Sequence, residues 1–183
     1  MTYPVHTKAT APERARPLLA QVERAFGFLP NLAGMLAEAP PVLEGYLGVA
    51  GAFAKSSLTP AEQQVVLLAS SVENECHYCV AAHSTIALGA GLDRDAVDAL
   101  RSGTPLADSR LEALRRYTRD VVARRGWTAD SLPAFLAAGF SRAQALEVIL
   151  GVAQKTISNY ANHLAATPVD EPFQGEVWEA SAR

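Results

Sequence analysis

The residues of this sequence that could do chemistry lie close together in the stretch "CHYCVAAH". Cys76 and Cys79 are the only two cysteines in the chain, and His83 follows four residues after the second of them. On a helix, residues three and seven apart return to nearly the same face, so both thiols and the imidazole can face one cavity. Cysteine reacts as its thiolate, and a neighbouring imidazole can take the thiol proton or hold the resulting anion.

Three interpretations of this segment are open. The first is a redox dithiol, in which one cysteine is oxidised and the other resolves it by forming a disulfide. The second is a metal site, in which His77, His163 or a carboxylate would complete the ligands that the two cysteines and His83 supply. The third is structural, with two buried thiols and a histidine that only pack. The spacing favours the dithiol.

The cysteines are predicted to lie at the start of a helix. Asn74 is predicted as the N-cap, which places Cys76 in the first turn, where unpaired backbone N–H groups stabilise an anion. Upstream, Thr59 and Glu62 form a capping box around a proline at the first helical position, so Glu62 is expected to be structural. Both thiols are thus predicted to lie near the N-terminus of the helix that carries them.

The rest of the chain also has helical periodicity, and it shows no convincing strand, hairpin or Gly-rich phosphate loop. We predict an all-α, single-domain bundle of about seven to eight helices over residues 1–183, with its motif core at about 40–100 and a tail at 167–183. The tail carries Phe173 and Trp178, which suggest that it packs on the bundle. Three aromatic residues are predicted to be in the core: Trp127, Phe135 and Phe140.

The overall charge and hydropathy exclude several classes of protein. A net charge of -3 gives no electrostatic reason to expect binding to nucleic acid or to an anionic membrane surface. The N-terminus lacks the apolar core of a signal peptide, and no run of about 18 uncharged apolar residues predicts a membrane span. The expected location is the cytoplasm.

The pattern "C-x-Y-C-x-x-x-H", with "LTPAEQQVVLLASSVEN" before it and "STIALGAGL" after it, resembles the carboxymuconolactone decarboxylase family and, within it, the alkylhydroperoxidase D-like branch. The stretches "FGFLPNL" and "EVILGVAQKTISNYANHLAATPVDEPF" also resemble that branch, so the similarity covers most of the chain. The resemblance implies an alkylhydroperoxidase D-like helical bundle that forms trimers or hexamers. It also implies thiol-dependent reduction of hydrogen peroxide or small organic hydroperoxides. The implied reductant is an external dithiol, lipoyl-type or thioredoxin-like, with no bound cofactor.

The resemblance implies a role for each residue that matches the motif. Cys79 matches the thiol that attacks peroxide, Cys76 the resolving thiol that also meets the reductant, and His83 the relay histidine. The relay glutamate of the family, twelve residues before the first cysteine, falls on Gln64, and an amide cannot carry a proton as a carboxylate can. Glu73, one turn before Cys76, is the hypothesised substitute.

Tyr78 and His163 are the remaining candidates for pocket or relay positions. Tyr78 is predicted to point away from the cysteine face and to pack or form a hydrogen bond. His163, on the last helix, is expected either to be structural or to line the same cavity as His83. The alternative to a peroxidase is a non-catalytic helical oligomer that binds a small molecule or a metal, with the thiols as sensor or ligands.

Overall fold

Helices make up all the regular structure of residues 3–180, which are the residues that the structure, a computed structural model, describes. This confirms the predicted all-α class, and the two six-residue helices bring the number of α-helices in these residues to nine. The α-helices are α1 Arg16–Phe26, α2 Asn31–Leu36, α3 Pro40–Phe53, α4 Pro60–Glu73, α5 His77–Gly89, α6 Arg94–Ser102, α7 Ser109–Ala123, α8 Leu132–Ala137 and α9 Arg142–Ala165. Short 3₁₀ helices at Glu13–Ala15 and Glu171–Glu176 flank them.

The helix starts follow the capping signals of the sequence. Thr59 accepts a hydrogen bond from the Glu62 backbone N–H at 3.2 Å, and the Glu62 carboxylate accepts one from the Thr59 backbone at 2.8 Å. The other oxygen of Glu62 accepts from Arg110 Nε at 2.9 Å, which confirms its structural role. A second capping box joins Ser141 to Gln144 at the start of α9.

The buried apolar side chains form two clusters. The larger cluster lies among the helices α3 to α9 and includes the stacked rings of Phe135 and Phe140, which were both predicted to be in the core. The smaller cluster joins α1, α2 and part of α3 to the first turns of α5, and it contains both cysteines. Trp127 is in neither: it is 82% exposed, so its prediction as a core residue is wrong. It follows Gly126, which has a φ of 87° in the turn after α7, and this turn directs the indole to the surface.

The turn between α4 and α5 positions the thiols. Glu75 has a left-handed φ of 54°, and the backbone N–H of Cys76 returns to the Ser71 carbonyl at 2.9 Å. This is the bonding pattern of a Schellman motif, which ends α4. Cys76 is therefore the N-cap of α5, and the prediction of Asn74 as N-cap is wrong. Asn74 instead ends α4 and donates from its side chain to Asn159 Oδ1 at 2.9 Å.

The C-terminal tail packs on the bundle, as its aromatic residues predicted. Phe173 is buried and contacts Tyr78 edge-on, with ring centroids 6.5 Å apart. Trp178 donates from Nε1 to the Arg101 carbonyl at 3.1 Å. None of the helices in residues 3–180 is long and apolar enough to cross a membrane.

Candidate active site

Cys79 lies in the first turn of α5 and is surrounded by polar side chains of α9. Asn162 Nδ2 is 3.2 Å from the Cys79 sulfur and 3.9 Å from the Cys76 sulfur. Ser158 Oγ is 3.8 Å from Cys79, and both cysteines are 1% exposed. The side chain of Asn162 therefore bridges the two sulfurs, and the free N–H groups of the first turn add positive potential at this end of the helix.

A buried lysine provides a full positive charge at the same place. Lys155, on α9, is 1% exposed, and its Nζ is 2.9 Å from His83 Nε2. Within residues 3–180, no aspartate or glutamate forms an ion pair with it. A buried ammonium without a counter-ion is costly, so the anion that Lys155 needs must come from a group at the site.

The hydrogen-bond donors and the charge around Cys79 favour it as that anion. Burial alone would raise the pKa of Cys79, but the hydrogen bond from Cys76, and then the charge of Lys155, hold it well below its ordinary value. The same hydrogen bond, together with burial, raises the pKa of Cys76. Burial alone would lower the pKa of Lys155, whereas the negative charge of Cys79 keeps it above its ordinary value. The resting site is thus a Cys79 thiolate beside a Lys155 ammonium, with Cys76 as a neutral thiol.

The His83 imidazole forms hydrogen bonds with Lys155 and Gln64 and not with the expected cysteine. An ammonium can only donate, so Nε2 accepts from Lys155, and the protonated Nδ1 donates to Gln64 Oε1 at 3.0 Å. Burial, and then the charge of Lys155, hold the pKa of His83 well below its ordinary value, so the ring is neutral. Gln64 thus fixes the imidazole orientation through its amide oxygen. In the described part of the chain, the ring nitrogens bond to these two residues and not to Cys79.

The thiolate opens onto a mostly apolar cavity of about 150 Å³. Cys79, His83 and Lys155 lie at its wall, together with the half-buried Tyr46, the pKa of which is raised by burial. The other walls are mainly apolar side chains of α1, α2, α3 and α5: Val22, Phe26, Leu32, Ala33, Leu47, Ala50, Ala82 and Ile86. The cavity can hold a small apolar molecule against the sulfur.

Tyr78 also lines this cavity, and its hydroxyl anchors the tail. It donates to Asp170 Oδ2 at 2.5 Å and accepts from the Leu32 backbone at 3.3 Å. Burial, and then the hydrogen bond to Asp170, raise its pKa, so it stays a neutral phenol. Asp170 Oδ1 in turn accepts from the Asn31 backbone N–H at 2.9 Å, which ties the tail to the start of α2.

The structure does not bring Glu73 and His163 to the thiols. Glu73 lines a different cavity, of about 190 Å³, beside Arg101 and Arg119, because it ends α4 on the side that faces α6 and α7. His163 is on the exposed side of α9, one residue beyond Asn162, which does face the sulfurs. His77 is exposed and bonds to the Trp178 carbonyl at 2.8 Å.

The residues around the two sulfurs that sequence reasoning missed are on one face of α9. Lys155, Ser158 and Asn162 are spaced by three and four positions, which is the period of a helix face. A lysine on a helix face that otherwise carries small polar side chains was a signal that could have been noticed. For the metal interpretation, no cluster of three His, Cys, Asp or Glu side chains in residues 3–180 could hold an ion.

Comparisons with known proteins find one family match and several similar folds. Residues 40–120 match the carboxymuconolactone decarboxylase family. An uncharacterized peroxidase-related protein from Ralstonia eutropha JMP134, with an alkylhydroperoxidase AhpD core, is 23% identical over 94% of this chain and 93% of its own, with a TM-score of 0.83. A peroxidase-related protein from Silicibacter sp. TM1040 is 17% identical over 96% and 95%, with a TM-score of 0.78.

A third similar structure has a different activity. It is a cysteine-to-alanine variant of the debrominase Bmp8 in complex with 2,3,4-tribromopyrrole, 16% identical over 96% of this chain and 95% of its own, with a TM-score of 0.79. No curated protein sequence matches the chain significantly. The chain thus carries a carboxymuconolactone decarboxylase family region at residues 40–120 and has the fold of the alkylhydroperoxidase AhpD core.

Proposed function

We propose that this chain is a thiol-dependent peroxidase that reduces hydrogen peroxide or small organic hydroperoxides. The observation that carries the proposal is the pairing of the Cys79 thiolate with Lys155 at the wall of an apolar cavity. A thiolate is the form of cysteine that attacks peroxides, and a thiol of ordinary pKa is only a few per cent ionised near pH 7. The residues around Cys79 keep its sulfur in the reactive form.

The reaction proceeds in two steps. The Cys79 sulfur attacks the nearer peroxide oxygen, an S–O bond forms as the O–O bond breaks, and Cys79 becomes a sulfenic acid. The Cys76 sulfur then attacks the Cys79 sulfur, an S–S bond forms, and water leaves. Asn162 supports the second step because its amide contacts both sulfurs, at 3.9 Å and 3.2 Å.

The cavity sets the size of the substrate. An apolar cavity of about 150 Å³ holds a benzene-sized molecule, so hydrogen peroxide and hydroperoxides with one ring or a short branched chain fit beside Cys79. An external dithiol reduces the disulfide. Cys76 is 1% exposed, so a slender lipoyl-type arm reaches it more readily than the face of a folded thioredoxin-like protein. In the proposal the chain works in the cytoplasm as a homo-oligomer, a trimer or hexamer.

Reductive debromination is a second candidate, because the same cavity and thiols suit it. Replacing bromine by hydrogen on an aromatic ring consumes two thiols and yields a disulfide and hydrogen bromide, so the dithiol supplies the electrons. The cavity is the right size for one ring. This candidate predicts release of bromide from 2,3,4-tribromopyrrole in the presence of a dithiol.

Stopped-flow oxidation with intact-mass detection tests the proposal. One equivalent of hydrogen peroxide or tert-butyl hydroperoxide should convert two free thiols into one disulfide in the parent. Cys76→Ser should stop at the sulfenic acid, whereas Cys79→Ser should lose the rapid reaction. Rapid peroxide consumption by Cys79→Ser contradicts the assignment. Stoichiometric zinc in freshly purified protein, with thiols inert to peroxide, would favour the non-catalytic alternative.

A further inference from the structure

Lys155 is a buried cation that depends on Cys79 for its counter-charge. It is 1% exposed, and no carboxylate in residues 3–180 forms an ion pair with it. α4 brings Gln64, an uncharged amide, to the neighbouring imidazole. The titratable groups around its ammonium come from two helices: Tyr46 of α3, Cys76 at the N-cap of α5, and Cys79 and His83 of α5.

Oxidation removes the only anion of this set. Tyr46 stays a phenol because burial raises its pKa, and His83 is neutral. When Cys79 gives up its charge to a bond with oxygen or sulfur, an ammonium that stayed protonated would be an uncompensated buried charge. Such charges cost several kcal/mol in proteins, and buried lysines relieve the cost by losing the proton. The leaving peroxide oxygen needs a proton at that same moment.

We infer that Lys155 is the catalytic acid of the site: it protonates the oxygen that leaves when Cys79 attacks the peroxide, and it remains a neutral amine while the Cys76–Cys79 disulfide exists. This rests on the proposed function for the identity of the oxidant. Lys155 lines the same cavity as Cys79 and interacts with its sulfur, so a molecule bound against the sulfur lies next to the lysine side chain. His83 Nε2, 2.9 Å away, holds the amine in place in both protonation states, because a neutral amine can also donate.

The step balances without a proton from solvent. The resting site is a Cys79 thiolate, a Cys76 thiol and a Lys155 ammonium. With a hydroperoxide ROOH it gives the Cys79 sulfenic acid, the alcohol ROH and a neutral Lys155 amine. Condensation with the Cys76 thiol then yields the disulfide and water. An external dithiol reduces the disulfide by two electrons, and its two protons restore the Cys76 thiol and the Lys155 ammonium.

The carbon next to each lysine nitrogen reports its protonation by NMR, and the chain has only three lysines: Lys8, Lys55 and Lys155. Protein labelled with ¹³C at the lysine ε-carbon should therefore give three signals, which the variants Lys8→Met and Lys55→Met assign by elimination without altering the site. Between the reduced and the oxidised protein, the titration midpoint of Lys155 should fall from above its ordinary value to below about 7, a fall of more than about 3 pH units. Lys8 and Lys55 should not change.

A midpoint for Lys155 that stays above about 7 after disulfide formation overturns the inference. Diamide oxidises the dithiol without peroxide, so the NMR measurement is decisive even if the protein does not react with peroxide. Failure of the proposed function would appear separately, as thiols that diamide oxidises and peroxide does not.

A second measurement asks whether the proton reaches the substrate. The leaving group of tert-butyl hydroperoxide is an alkoxide that needs a proton, whereas peracetic acid releases acetate, which does not. Lys155→Met has two effects on the rates. Because the Cys79 thiolate loses its positive partner, the reactions with both oxidants become slower. Because the proton donor is lost, the reaction with tert-butyl hydroperoxide becomes slower still, whereas that with peracetic acid does not. The ratio of the peracetic acid rate to the tert-butyl hydroperoxide rate should therefore rise by about 100-fold or more in Lys155→Met and stay constant in Lys55→Met. An unchanged ratio in Lys155→Met would limit Lys155 to a structural or charge-pairing role and overturn the inference.

Discussion

Replacing Cys79 by serine should destabilise the fold through Lys155, because serine does not ionise near neutral pH and leaves the buried ammonium without its anion. At pH 7, removing a proton from a lysine with an ordinary pKa of about 10.4 costs about 4–5 kcal/mol, at about 1.4 kcal/mol per pH unit. This is the upper limit of the penalty, since a larger one is avoided by deprotonation. We therefore expect Cys79→Ser to be less stable than the parent by about 3–5 kcal/mol, the usual cost of breaking a buried ion pair.

The double variant Cys79→Ser/Lys155→Met isolates this effect. Methionine fills a similar volume without a charge, although it leaves His83 Nε2 without a donor, at a cost of about 1–3 kcal/mol. The double variant should therefore be more stable than Cys79→Ser by about 1–4 kcal/mol at pH 7, after this cost is subtracted from the deprotonation penalty. A second substitution that restores stability is the expected signature of a charge left unpaired.

The difference in stability between Cys79→Ser and the double variant should decrease as the pH rises. In Cys79→Ser the folded pKa of Lys155 lies below its unfolded value, so the unfolded chain binds more protons and stability rises with pH up to about 10. The gap to the double variant should therefore shrink by up to about 1.4 kcal/mol per pH unit between pH 7 and pH 9. Urea unfolding followed by circular dichroism, with a reductant and at one protein concentration, measures it.

Cys76→Ser is the matched control for this experiment. Cys76 is a neutral thiol in the resting site, so its replacement leaves the pair of Cys79 and Lys155 intact, and its stability should stay within about 1 kcal/mol of the parent. The reasoning is refuted if Cys79→Ser and the double variant are equally stable at pH 7, or if their gap is the same at pH 9.

Three further substitutions test the contact of Gln64 with the His83 imidazole and the packing of α9. Gln64→Glu places a carboxylate at the atom that is 3.0 Å from His83 Nδ1, which should raise the pKa of His83, measurable by ¹⁵N NMR, without a large gain in peroxide rate. A gain of about tenfold or more would show that the proton travels through position 64. Gly151→Ala should cost about 1–3 kcal/mol in urea unfolding, because the new methyl would lie 2.8 Å from the Phe53 ring. Gly48→Ala, on α3 with open space around it, should instead gain up to about 1 kcal/mol, and equal effects of the two would contradict the packing.

What the sequence predicted well is local. The capping boxes at Thr59 and Ser141 depend on residues three apart, and the placement of Cys79 and His83 on one helix depends on residues four apart. Interactions between residues three or four positions apart can be predicted from their spacing in the sequence, and the structure contains them. The burial of Phe135 also follows from its own apolar character.

What the sequence did not predict depends on which helices meet. Lys155 and His83 are 72 positions apart, and Asn162 and Cys79 are 83 apart, so no local pattern joins them. The Asn74 prediction failed for the same reason, since a tertiary hydrogen bond to Asn159 uses the side chain that was expected to cap α5. Trp127 is exposed because the turn before it, not its hydrophobicity, sets its direction.

The departure at Gln64 and the presence of Lys155 can be explained together by charge. A glutamate at position 64 would put a second anion at the site, against the His83 imidazole, and Lys155 would then neutralise only one of the two. With an amide at that position, one anion and one cation form a neutral pair, which is the least costly way to keep a thiolate in an apolar cavity. Because Cys79 is the only anion of the pair, its oxidation necessarily changes the charge balance around Lys155. A site with a second anion would lack this coupling, since its lysine would keep a partner after the sulfur was oxidised.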